Sequence, residues 1–121
     1  MKYIWIVGAS TGIGEALTHR YARQGCTVFV SARNGAKLEA MTSVSESRLV
    51  PIVLDVSDDW SVVSAVKQIE QHTDVLHQVI INAGTCEYID SQEIDMNTVK
   101  AVMDTNFIGA LNVVNAALPL L

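Results

Sequence analysis

The stretch Val7-Gly8-Ala9-Ser10-Thr11-Gly12-Ile13-Gly14 decides how this chain folds. It follows a short run from Lys2 to Val7 and precedes a helix-like stretch from about Gly12 to Gln24, where Ile13, Leu17 and Tyr21 recur every four residues. A strand that turns through glycines into a helix brings backbone N–H groups and the positive end of the helix to one point, which suits a pyrophosphate. Gly8 allows the sharp turn, Gly12 removes a Cβ where backbone meets phosphate, and Gly14 lets the helix pack closely. The competing reading is a tight structural turn, and the rest of the chain decides between them. A P-loop is excluded, because no G-x-x-x-x-G-K-S/T supplies a lysine for the outer phosphates.

Outward from this turn the pattern of strand and helix repeats. Gly25 stops the first helix, and Thr27-Val28-Phe29-Val30 begins a second strand. A second helix is expected over about Ala36 to Thr42, its apolar face marked by Leu38 and Met41. Leu49 to Leu54 reads as a third strand. Pro51 within it cannot donate to a ladder, which places the strand at a sheet edge. Ser57 or Asp58 can cap a third helix, with Val62, Val66 and Ile69 on one face up to about Gln71. Val75 to Ile81 is the fourth strand, and Asp95 or Asn97 can cap a long final helix bearing Val99, Val102, Val113 and Ala117. Four such units favour right-handed crossovers and a parallel sheet. The expected architecture is α/β: part of a Rossmann-type doubly wound sheet of order 3-2-1-4, in three α/β/α layers, with residues 1–121 forming one dinucleotide-binding domain.

The end of the second strand speaks to the choice of dinucleotide. An NAD site generally places an acid there, on the ribose hydroxyls. Here Ala32 stands in that place, and Arg33 beside it offers a fork of donors suited to a 2′-phosphate. The plain alternative for Arg33 is a solvated surface arginine.

The spacing Gly8-x-x-x-Gly12-x-Gly14 resembles the T-G-x-x-x-G-x-G motif of short-chain dehydrogenases/reductases of the smaller type, with Val7 in place of the usual Thr. The resemblance extends over nearly the whole chain. Ala32-Arg33 looks like the family's NADP-preferring pattern, with Ser10, Thr11 and Asn34 as helpers. Asp55-Val56 resembles the pair at the adenine ring, the acid meeting the exocyclic amine and the valine packing nearby. Asn82-Ala83-Gly84 resembles the N-A-G motif, whose small residues pass close to the cofactor. Asp104-Thr105-Asn106-Phe107-Ile108-Gly109 resembles the N-x-x-G segment, whose Asn, here Asn106, helps hold a water in the proton relay. The resemblance therefore implies NADP(H) bound by Gly8, Ser10, Thr11, Gly12, Ile13, Gly14, Arg33, Asn34, Asp55, Val56, Asn82, Ala83 and Gly84. The absence of the strand-end acid also argues against S-adenosylmethionine methyltransferases, which share the glycine loop.

The family's chemistry is hydride transfer between nicotinamide and a carbonyl or alcohol carbon, using a Tyr whose pKa a nearby Lys lowers, and a Ser. No Tyr-x-x-x-Lys is present: Val7, Gly25 and Gln92 stand four residues after Tyr3, Tyr21 and Tyr88. The family pattern continues for about another hundred residues, with three more strands, the Ser and the Tyr/Lys pair. The expectation for this chain is thus the cofactor half of an NADP-dependent oxidoreductase, truncated, binding cofactor without turnover. The alternative is a non-catalytic dinucleotide-binding or interaction module. An uncovered final helix, which in the family packs on its copy, predicts a homo-oligomer.

Composition sets the outer bounds. Half the residues are hydrophobic and 17% charged, enough apolar content to offset chain entropy in one core. A net charge of -5 disfavours non-specific attraction to nucleic acid or anionic lipid, so any phosphate site is local. Cys26 and Cys86 lie far apart without His or Cys at ligand spacing, which suggests neither a disulfide framework nor a metal site. Lys2 to Val7 is too short for a signal peptide, and Asn112 and Asn115 interrupt the apolar end before it reaches membrane-spanning length. A cytoplasmic protein with a small-molecule carbonyl or alcohol substrate, and no nucleic-acid or membrane partner, is expected.

Overall fold

The computed structural model describes residues 1–43, 48–90 and 92–121. Four parallel strands, β1 (Tyr3–Val7), β2 (Thr27–Ala32), β3 (Leu49–Val53) and β4 (Gln78–Ile81), form a sheet of order β3-β2-β1-β4. This is the predicted order. Pro51 lies on the edge strand, paired in register with Val30, where its missing donor costs no ladder bond.

The strands sort their side chains to two faces because alternate residues point opposite ways. On β1, Ile4 and Ile6 enter one core with Val28, Val30, Leu38 and Met41, beneath α1 (Gly12–Arg23) and α2 (Gly35–Ser43). Trp5 and Val7 enter the other with Phe29, Ile52, Val62, Ile69, Val113 and Ala117, beneath α3 (Asp59–Glu70) and α5 (Gly109–Ala117). The buried Trp5 indole donates to the Ser31 hydroxyl at 2.9 Å, which satisfies both polar groups inside the sheet.

Three expectations need correction. Ile13 does not face the core: it is 71% exposed, while Gly14 and Thr18 are the buried residues of α1. It sits in the first turn, beyond the carboxyl end of β1, where the sheet offers nothing to pack against. The fourth strand begins at Gln78 rather than Val75, since the Leu76 N–H is taken by the Leu120 carbonyl at 2.7 Å. The final helix is not regular. It runs as α4 (Met96–Met103), capped by Asp95, then one π-helical turn (Asp104–Ile108), then α5. A π turn holds an extra residue and rotates the side chains that follow.

Candidate functional site

At the carboxyl edge of the sheet a cleft of about 740 Å³ runs over the ends of β1 to β4, within the range of small-molecule sites. Its walls include Gly8, Ser10, Thr11, Arg33, Asn34, Asp55, Val56, Asn82, Ala83 and Gly84. Thus ten of the fourteen residues singled out from the sequence converge on one surface from four separate loops. Gly12, Ile13, Gly14 and Asn106 are outside the lining.

The glycine turn is held from below. Gly8, at φ +85°, and Ala9 both donate to the Ser31 carbonyl, at 2.8 and 3.0 Å. These bonds lash the turn to β2 without any hydroxyl at position 7. A Cβ on Gly14 would lie 1.9 Å from the Gly8 carbonyl oxygen, so α1 meets the turn at a distance that only glycine permits. The Asn82 amide donates to that same carbonyl at 3.1 Å, bracing the end of β4 against the turn.

The start of α1 differs from the starts of α2, α3 and α4. Thr11 occupies its N-cap, yet the Thr11 side chain makes no capping bond. By contrast, Asp58 accepts from Trp60 and Ser61 at α3, Asp95 accepts from Asn97 at α4, and Asn34 accepts from the Lys37 N–H at α2. The first amides of α1 therefore lie without a side-chain acceptor, next in the chain to Ser10 and Thr11 of the cleft wall, with the positive helix end behind them. An anion fits there.

Asn34, expected as a ligand helper, spends its carbonyl oxygen on this cap and keeps its amide. Arg33 is exposed beside it. Asp55 Oδ1 accepts from the Ser57 amide at 3.0 Å and hydroxyl at 2.7 Å. The Ser57 hydroxyl, then its amide and the charge of Arg33, hold the Asp55 carboxyl below its ordinary value, against partial desolvation. The carboxylate is ionised at neutral pH.

Asn106 is spoken for on both sides of its amide. It accepts from the Thr85 N–H at 2.7 Å and donates to the Thr85 carbonyl at 2.8 Å, acting as a strand neighbour for the loop after β4. Gly84 lies against it, since a Cβ there would come within 3.4 Å of the Asn106 oxygen. Its place is at the π turn, so the irregular backbone and this clamp occur together.

The cleft also takes in Thr85, Glu87, Ala101, Val102 and Thr105, which the sequence reading gave no part in the site. Val102 carried only a helix-face signal and Thr105 only its place beside Asn106. Tyr3, Tyr21 and Tyr88 do not line the cleft: Tyr3 stacks near Phe29, the Tyr21 hydroxyl donates to Gln78, and Tyr88 is wholly exposed. Among the described residues, no three His, Cys, Asp or Glu side chains gather as metal ligands, and no helix is long and apolar enough to cross a membrane.

Residues 2–121 match the family model described as short chain dehydrogenase. The chain is 34% identical over 125 residues to 11-beta-hydroxysteroid dehydrogenase 1A of Arabidopsis thaliana, covering 99% of this chain and 36% of that protein. It is 33% identical over 112 residues to the NADPH-dependent 1-acyldihydroxyacetone phosphate reductase of Schizosaccharomyces pombe, covering 91% of this chain and 37% of that protein. A 3-oxoacyl-acyl-carrier-protein reductase from Brucella melitensis, solved with bound NAD, superposes with a TM-score of 0.84 at 28% identity, over 98% of this chain and 47% of that one. The chain thus spans less than half the length of each of these relatives.

Proposed function

This chain belongs to the short-chain dehydrogenase family, an oxidoreductase family that binds a nicotinamide cofactor, and on that premise we propose that residues 1–121 are its NADP(H)-binding unit. The observation that carries the reading is the start of α1, whose N-cap Thr11 stands in the cleft wall and makes no capping bond, while α2, α3 and α4 are each closed by their own residues. The pyrophosphate lies on Gly8, Ser10, Thr11, Gly12 and Ile13, with Gly14 allowing the approach. Arg33, aided by Asn34, takes the 2′-phosphate; a charge-assisted fork is the strong way to hold it. Asp55 and Val56 take the adenine, and Asn82, Ala83 and Gly84 flank the nicotinamide side. The kinship with the NADPH-dependent Schizosaccharomyces pombe reductase favours the same choice, while the Brucella structure holds NAD.

When bound, the cofactor would supply or accept hydride, exchanged with a small carbonyl or alcohol substrate. What this chain's own residues do is bind and orient: Asn106 fixes the loop at Thr85 and so supports any proton relay through position. Tyr3, Tyr21 and Tyr88 lie outside the cleft wall formed by the described residues, which supports the reading that this chain by itself binds cofactor without turnover. The outward stripe Met103, Phe107, Leu111, Val114 and Leu118, each at least 41% exposed, packs against a second copy, giving a homo-oligomer. A cytoplasmic setting accords with two unpaired cysteines, Cys26 and Cys86.

Titration calorimetry with NADPH and NADH, on the protein and on Arg33→Asp, tests the reading. NADPH should bind at least about tenfold more tightly than NADH, and the variant should lose that preference, the difference one charge-assisted contact makes. Failure to bind either dinucleotide would sink the proposal.

A further inference from the structure

The loop at Asp55 and Val56 is fixed by three elements. The Leu54 amide donates to the Ala32 carbonyl on β2 at 3.0 Å, and the Asp55 amide donates to the Ser61 hydroxyl on α3 at 3.0 Å. The third tie comes from α5: the Asn112 side-chain amide donates to the Val56 carbonyl at 3.0 Å. One turn earlier, Gly109 presses on the same residue, because a Cβ there would lie 2.6 Å from Val56 Cγ2. An asparagine in the middle of a helix costs helix stability, so its presence here is not explained by helix formation. It is partly buried and reaches 56 residues back along the chain.

We infer that Asn112 is a positioning residue for adenine recognition, setting the loop from which Asp55 and Val56 meet the base. The inference rests on the adenine role given to these two residues above. Asp55 Oδ1 is held by Ser57, while Oδ2 has no hydrogen-bond partner among the described residues and can accept from an exocyclic amine. The direction of that oxygen depends on the backbone at Val56. Val56 is itself buried, with its flank against Gly109. Without the Asn112 bond, the Val56 carbonyl loses its only tie to α5 among the described residues, and the peptide between Val56 and Ser57 can turn.

The readout is base discrimination, which a general loss of stability does not move. NADPH and its hypoxanthine counterpart differ in the group facing Asp55, an amine in one and a carbonyl oxygen in the other. The protein should favour NADPH by roughly tenfold, the size of one hydrogen bond to a charged group. In Asn112→Leu, close in shape but without a donor, that preference should fall below about threefold, chiefly through weaker NADPH binding. Asn112→Ala provides the same comparison should the leucine disturb the fold. A preference that survives in the folded variants, or an equal loss for both dinucleotides, would overturn the positioning role while leaving the cofactor site intact. A parent protein that binds both equally would overturn Asp55's part in it. If the parent binds neither, the cofactor reading fails and this inference with it.

Discussion

The turns leading into α1 and α3 leave the same edge of the sheet, yet they end in opposite ways. Before α3, Asp55 and Asp58 fold their carboxylates back onto Ser57, Trp60 and Ser61, so the helix start is closed by its own chain. Before α1, Thr11 leaves its amides unbonded, and the residues around it are glycine and small hydroxyls. The first turn is set up to receive negative charge, and the second already carries its own. The difference teaches that a helix start is left open to an anion through what is withheld from it. Capping would stabilise α1 and occupy the very groups a phosphate needs.

The largest way to break this contrast is Gly14→Ala. Its Cβ meets a backbone oxygen that cannot swing aside, so α1 must move off the turn. A loss of about 3 kcal/mol is expected in urea denaturation, together with loss of dinucleotide binding. Gly12→Ala is a useful companion, since its site is open and only the backbone conformation at φ +56° opposes it. It should cost roughly 1 kcal/mol.

Thr11→Asp should turn the first helix start into a copy of the second. A carboxylate cap is expected to raise stability by up to about 1 kcal/mol while weakening NADPH at least about tenfold. Thermal melting and calorimetry on the same sample would read both, and a variant that gains stability without losing affinity would refute the account of α1. The converse change, Asp58→Ala, removes the α3 cap. It should cost about 1 kcal/mol and leave NADPH affinity within roughly twofold.

The smallest effect concerns pH. Asp55 has a folded-state pKa below its unfolded value, so its contribution to stability is present above the unfolded value and is lost as pH falls through the folded one. Acid titration of unfolding below the ordinary carboxylate range should therefore show a shallow loss that Asp55→Asn lacks. Because the group is largely solvated, the difference is small. A variant with an unchanged acid limb would show that Ser57 and Arg33 do not stabilise the charge.

Much of the site could be read from the chain because its signals are local. Gly8 and Gly14 stand at fixed spacing around one turn, and Arg33 and Asp55 each follow directly on a strand. Residues that end neighbouring parallel strands must meet at one edge, so their convergence follows from order alone. Ile13 misled because periodicity gives the face of a helix but not how far the sheet extends beneath it. The π turn, the Asn106 clamp on Thr85 and the Asn112 tie to Val56 had no such signal. The two asparagine ties join residues 21 and 56 positions apart through a single side chain, and the partner is a backbone group that any residue could supply.

By itself, then, the sequence determined the strand order, the edge position of Pro51 and the glycine turn, since alternation, proline's missing donor and positive φ act within a few residues. Tertiary structure alone decided which helix start stays open, where the last helix breaks, and which asparagines hold the loops at Thr85 and Val56. Those outcomes depend on hydrogen-bond partners brought close only when the layers pack, and a chain carries no local mark of a partner it has yet to meet.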